Sequence, residues 1–194
     1  MHLTVNEAAP MIQFDCVYKA FGDKTVVSAF TKTFDTGIYA LTGPSGSGKT
    51  TILRLAAGLE TPDAGTVTLS GAASFAFQEP RLIPWIKNIS NVALSGSREC
   101  AQILLDSLGL SSEAESYPYS LSGGMQKRVS LARALCSDFD VLLLDEPFAG
   151  LDAECADNAF QVIKRYSDKK TIIISTHDMR IASMCDSVCA ISQS

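Results

Sequence analysis

With 194 residues, 46% of them apolar and 19% charged, the chain has the composition of a globular protein able to bury a core, which excludes a disordered chain. A net charge of −5 without long basic tracts argues against nucleic acid as a partner. No apolar run approaches the roughly 18–20 residues that cross a bilayer, and residues 1–10 lack the charged-then-apolar pattern of a secretory signal. A cytosolic chain is therefore expected, attached to a membrane only through another subunit.

Residues 11–17 and 25–34 read as strands of an antiparallel N-terminal layer. Residues 37–42 form a strand that runs into a glycine-rich loop, and 49–57 form a helix stopped by Gly58. Short strands follow at 66–70 and 74–77. From about residue 88 to 120 the pattern changes to a small helical insertion. Asn91, Ser95, Gly96 and Ser97 punctuate it. A helix over 99–108 carries Ile103, Leu104 and Leu108 and is closed by Gly109. A helix over 123–135 brings Val129, Leu131, Ala132 and Leu135 onto or near one face. The unbroken apolar runs 141–144 and 171–175 suit strands buried on both faces of a parallel sheet. Strands alternating with helices make this an α/β chain. Six cysteines, at 16, 100, 136, 155, 185 and 189, form no C-x-x-C pair. Reduced thiols serving as small apolar residues are a better reading than zinc or redox pairing of Cys185 and Cys189.

Three motifs carry chemistry. Gly43-Pro44-Ser45-Gly46-Ser47-Gly48-Lys49-Thr50 follows a strand and opens a helix, the context a phosphate loop requires. Its glycines let backbone N–H groups turn toward phosphate oxygens, and the helix N-terminus adds partial positive charge. Lys49 supplies a point charge for the β- and γ-phosphates, Thr50 a hydroxyl ligand for Mg²⁺, and Thr51 a bond to the α-phosphate. The run 140–147 is a buried strand ending in two carboxylates, Asp145 and Glu146, before Pro147 stops regular pairing. Asp145 is placed to support Mg²⁺, and Glu146 to polarise an attacking water. The third motif, Leu121-Ser122-Gly123-Gly124-Met125-Gln126, sets a serine and a glycine pair at a helix start, a second element suited to phosphate.

These motifs, in this order over about residues 14–191, resemble the nucleotide-binding subunits of ABC transporters. The resemblance implies a P-loop ATPase of the ABC type. Its fold is a mixed or parallel sheet core with an antiparallel β layer and a small helical subdomain. One domain is expected, with residues 1–87 and 136–194 as catalytic core and 88–135 as the helical part. It further implies that Phe21 stacks on adenine, a contact worth ~1–3 kcal/mol per base. Gln78 matches the glutamine that senses Mg²⁺ and the γ-phosphate, His177 the histidine that contacts that phosphate, and Asp152 the loop that crosses a dimer interface. Ser122, Gly123 and Gly124 would clamp ATP held by a second copy or a homologous ATPase subunit, in an isologous pair with two composite sites. A transmembrane permease, and indirectly a substrate-binding protein, complete the implied assembly at the cytoplasmic face of the membrane.

Gln78-Glu79-Pro80-Arg81-Leu82-Ile83-Pro84-Trp85 resembles the corresponding segment of the nitrate, sulfonate and taurine importers, in which Arg81 to Trp85 would receive a short permease helix. The alternative is an ABC ATPase that does not serve transport; the double cassettes, long coiled coils or distinctive insertions of such proteins are not visible. The 43 residues between Gln78 and Ser122 make a short helical insertion. With 17 residues after His177, no regulatory domain of the maltose-importer kind is expected, and a closing strand or helix is in question.

Overall fold

The computed structural model describes residues 11–191; the N-terminal stretch read above as lacking a signal, and residues 192–194, lie outside the described residues. In chain order the elements are β1 (Ile12–Phe21), β2 (Lys24–Phe34), β3 (Gly37–Thr42), α1 (Lys49–Ala56), β4 (Ala64–Leu69), β5 (Ala73–Ala76), α2 (Asn88–Ala93), α3 (Arg98–Ser107), a 3₁₀ turn (Pro118–Ser120), α4 (Gly123–Cys136), β6 (Val141–Asp145), α5 (Ala153–Arg165), β7 (Thr171–Ser175), α6 (Met179–Met184) and β8 (Ser187–Ala190).

Two sheets result. The first is antiparallel, in the order β2-β1-β4. The second is parallel throughout, in the order β5-β6-β7-β3-β8. The expected antiparallel layer is present, with β1 extended to Phe21. A bulge permits that extension: Cys16 takes φ +48°, the pairing shifts between Phe14 and Val17, and the Cys16 N–H donates to Thr31 Oγ1 at 2.9 Å.

The parallel sheet separates two cores, and alternation along its strands explains the unbroken apolar runs. Val141, Leu143 and Ile173 face β1, β2 and α1, where they meet Ile12, Phe14, Phe34, Ile52 and Leu53. Leu142, Leu144, Ile172 and Ile174 face the other way, onto Val129, Ala132, Phe160 and Ile163 of α4 and α5. Leu143 is fully buried in the first core. Leu143→Ala is expected to lower the unfolding free energy by about 2–5 kcal/mol, read from urea denaturation.

Three sequence expectations change. Asn91 does not punctuate; it lies inside α2, fully buried. Its side chain accepts from the Ile83 N–H at 2.7 Å and donates to the Ile83 and Ile86 carbonyls, so it latches the loop before the helix. The closing elements left in question exist: α6 packs on the sheet and β8 pairs with β3. Helix α5, which the sequence reading left unassigned, buries Ala156, Ala159, Phe160, Val162 and Ile163 along one face.

The cysteines also divide. Cys136 is buried, and burial, with the adjoining Cys100 thiol second, pushes its thiol up to about 12; burial pushes Cys185 up to about 11. Cys16 is exposed on the bulge, so it does not serve as a small core residue. Among the described residues no helix is long and apolar enough to cross a membrane.

Candidate functional site

Strand order brings the motifs together. β7 lies between β3 and β6, with Leu41, Ser175 and Asp145 in register across the three strands. The loop after β3, the carboxylates after β6 and His177 after β7 therefore emerge at neighbouring carboxyl ends, where open parallel sheets bind ligands.

Three glycines of the loop 43–48, Gly43, Gly46 and Gly48, take positive φ, and two of them are pressed against backbone. Gly43 has φ +151°, and a Cβ there would come within 2.4 Å of the Ile191 carbonyl oxygen. Gly48, which caps α1, has φ +94°, and its Cβ would come within 2.7 Å of the Val26 oxygen. Both contacts are with backbone, so a side chain at either position displaces the loop. Lys49 is only 8% exposed. Its ammonium donates to the Gly43 and Pro44 carbonyls at 2.8 and 3.0 Å, folded back on its own loop.

Thr50 Oγ1 donates to Asp145, 3.1 and 2.9 Å from its two carboxylate oxygens. Ser175, fully buried, completes this arrangement: its hydroxyl donates to Asp145 Oδ1 at 2.7 Å and accepts the Glu146 N–H at 2.9 Å. Glu146 takes φ +47°, a strained conformation for a non-glycine residue, and the Ser175 bond holds it there. The Glu146 carboxylate meets His177, whose Nδ1 lies 3.1 Å from Glu146 Oε2.

A cleft of about 640 Å³ runs across these groups. Ser45, Gly46, Gly48, Lys49, Thr50 and Thr51 line it together with Gln78, Asp145, Glu146, His177 and Phe21. Phe21 is half exposed at the tip of the β1–β2 hairpin, with Lys19 Nζ 5.3 Å from its ring centre. Gly43, Pro44 and Ser47 shape the loop from behind and do not line the cleft.

Ser122, Gly123 and Gly124 are not in this cleft. They line a second one of about 530 Å³ together with Asp152, Cys155, Lys127 and Arg128. Only Ala149 borders both. Ser122 caps α4 by accepting the Met125 N–H, and Asp152 caps α5 by accepting the Cys155 N–H. That bond holds the Asp152 carboxyl below its ordinary range. Gly123 faces open space, whereas a Cβ on Gly124 would press on Leu151.

Sequence reasoning missed Ser175, Lys24, Val26 and Ala149. A single hydroxyl ending the apolar run 171–175 was a visible signal for Ser175. Lys24 and Val26 enter the cleft only because the β1–β2 hairpin folds over the loop, which no local pattern announces.

The residues 32–149 match the family model described as ABC transporter. The chain is similar to three proteins named as aliphatic sulfonates import ATP-binding proteins. That of Paracoccus denitrificans is 38% identical, over 91% of this chain and 77% of that one; that of Nocardia farcinica is 41% identical, over 83% and 69%. That of Agrobacterium fabrum is 39% identical, over 99% and 75%. The fold matches the ATP-binding cassette MJ0796, solved as a dimer in a post-hydrolysis state bound to ADP and Pi, with a TM-score of 0.87 and 27% identity over 93% of this chain and 94% of that one.

Proposed function

The chain belongs to the ABC transporter family, and on that premise we propose how its two clefts divide the work of ATP hydrolysis. It is the ATP-binding and ATP-hydrolysing subunit of an importer. What carries the proposal is the separation of Ser122, Gly123 and Gly124 from the cleft that holds Lys49, Asp145, Glu146 and His177.

In the first cleft adenine stacks on Phe21 and the phosphates lie over residues 43–51. The Lys49 ammonium exchanges its bonds to the Gly43 and Pro44 carbonyls for phosphate oxygens. Thr50, Asp145 and Gln78 offer an oxygen-only donor set, which suits Mg²⁺ completed by substrate phosphates. When bound, Mg²⁺ would neutralise charge on the β- and γ-phosphates. Glu146 takes a proton from the water that attacks the γ-phosphorus as the bond to the ADP oxygen breaks. His177, beside Glu146, steadies that carboxylate and faces the γ-phosphate, which Gln78 also senses.

In the second cleft Ser122, Gly123, Gly124 and Asp152 meet the ATP of another subunit, a second copy of this chain or a homologous one. The pair is isologous, and ATP favours its closed form because only that form makes both sets of contacts. Residues 1–87 and 136–194 act as the catalytic core and 88–135 as its helical arm. The segment from Arg81 to Trp85, next to that arm, engages a permease at the cytoplasmic membrane face. Trp85, 77% exposed, with Leu82 and Ile83 half-buried beside it, supplies the apolar contact. The relatives point to cargo of the aliphatic sulfonate class, delivered by a substrate-binding protein.

Ser122→Ala tests the division. Turnover is expected to fall by about 10²-fold, while the ATP affinity of the monomer, measured by equilibrium titration, stays within about twofold. The lost helix cap costs about 1 kcal/mol, which a melting curve separates from the catalytic effect. A loss of monomer affinity equal to the loss of turnover would refute the composite site.

A further inference from the structure

The segment after Gln78 is fastened to the helical arm by side-chain bonds to its backbone. Arg133, on α4, donates from Nη2 to the Pro80 carbonyl and from Nη1 to the Arg81 carbonyl, both at 2.9 Å. Arg81 sits in a left-handed conformation, φ +47°, with its guanidinium 3.9 Å from the centre of the Phe77 ring. Further on, Asn91 of α2 holds both backbone groups of Ile83. Among the described residues Arg133 makes no ion pair, so its planar fork is committed to the two carbonyls.

Arg133 also stands on the helix whose first turn holds Gly123 and Gly124, and Pro80 itself borders the second cleft. The chain from Gln78 to the first pinned carbonyl is two residues, at most about 7 Å when extended. A pull on Gln78 has almost no slack to take up before it reaches α4.

We propose that Arg133 is a positioning residue that couples the γ-phosphate to the second cleft: when Gln78 is drawn toward the phosphate, residues 80–85 and α4 move as one body and reorient Ser122 and Gly123 toward the other subunit. This rests on the reading of Gln78 as a γ-phosphate sensor. A guanidinium that spans two successive carbonyls transmits such motion in a way a single hydrogen bond, free to pivot, does not.

Trp85 is the only tryptophan in the chain and lies in the moving segment, so its fluorescence reports the motion directly. The probe is AMP-PNP with Mg²⁺, compared with ADP. In the wild type AMP-PNP should change Trp85 emission and ADP should not. Arg133→Ala should bind AMP-PNP within about twofold of wild type and keep KM, yet lose about tenfold in kcat and most of the Trp85 response. Arg133→Lys, with one ammonium reaching one carbonyl, should fall between them; it decides the question alone if the alanine variant does not fold. Wild-type kcat with a wild-type Trp85 response in the variants overturns the proposal. So does a parallel loss of binding and kcat, or a wild type that binds AMP-PNP with a silent Trp85. A wild type that binds no AMP-PNP refutes the nucleotide site itself, a failure distinct from that of Arg133.

Discussion

Glu146→Gln should lower ATP turnover by about 10²–10⁴-fold, the range for removing a general base, and leave ATP binding intact. Glutamine has nearly the shape of glutamate, and Glu146 spends its backbone N–H on Ser175 rather than on the cleft. The strained turn at φ +47° survives, since the Ser175 bond does not involve the side chain. What disappears is the carboxylate charge beside His177, the base of the proposed mechanism. ATP would then bind without being consumed, and a closed pair of subunits should accumulate. Single-turnover kinetics and sedimentation velocity with and without ATP measure the two halves of this result. A variant that turns over at the wild-type rate would remove Glu146 from its role.

Lys49→Met should reduce ATP affinity by about 10²-fold or more, since truncating one partner of a desolvated charge pair costs about 2–5 kcal/mol. Lys49 is nearly buried and lines the first cleft, so water compensates poorly for its loss. Methionine keeps most of the aliphatic stem and its packing. It does lose the bonds to the Gly43 and Pro44 carbonyls, which tighten the loop. The measurement should therefore separate stability from binding. The melting temperature without nucleotide should fall modestly, whereas the rise in melting temperature should vanish at an ATP concentration well below the variant's Kd, because that rise is set by the ratio of ATP concentration to Kd. Retention of the ATP-induced rise would contradict a phosphate-binding Lys49.

Much of the candidate site's local geometry was legible because its parts are local. A phosphate loop must have glycines where the backbone turns left-handed, and Gly43 and Gly48 occupy such positions. A strand buried on both faces is apolar through its middle, as β6 is over residues 141–144 and β7 over residues 172–174. Asn91 and Cys16 resisted the same logic for one reason. An asparagine or cysteine in isolation says little, and each is given its job by residues it meets only after folding, Ile83 and Ile86 for one and Thr31 for the other. Helix α5 carried usable signals in its Asp152 cap and its terminal Lys164 and Arg165. Reading Asp152 solely as an interface residue hid its second use as a helix start.

By itself the sequence determined the inventory: a phosphate loop, an acidic pair, a serine–glycine helix start, and strands suited to a parallel sheet. Residue type and short spacing are enough for these, because glycine conformations, helix caps and apolar runs act over a few residues. Only the tertiary structure decided which of them share a space. The order β6-β7-β3 sets Ser175 between Asp145 and the phosphate loop. The arm carries Ser122 to a different cleft from Lys49, and Arg133 ties that arm to the glutamine segment. Those contacts join residues tens of positions apart, so they depend on strand order and helix packing, for which no local signal exists.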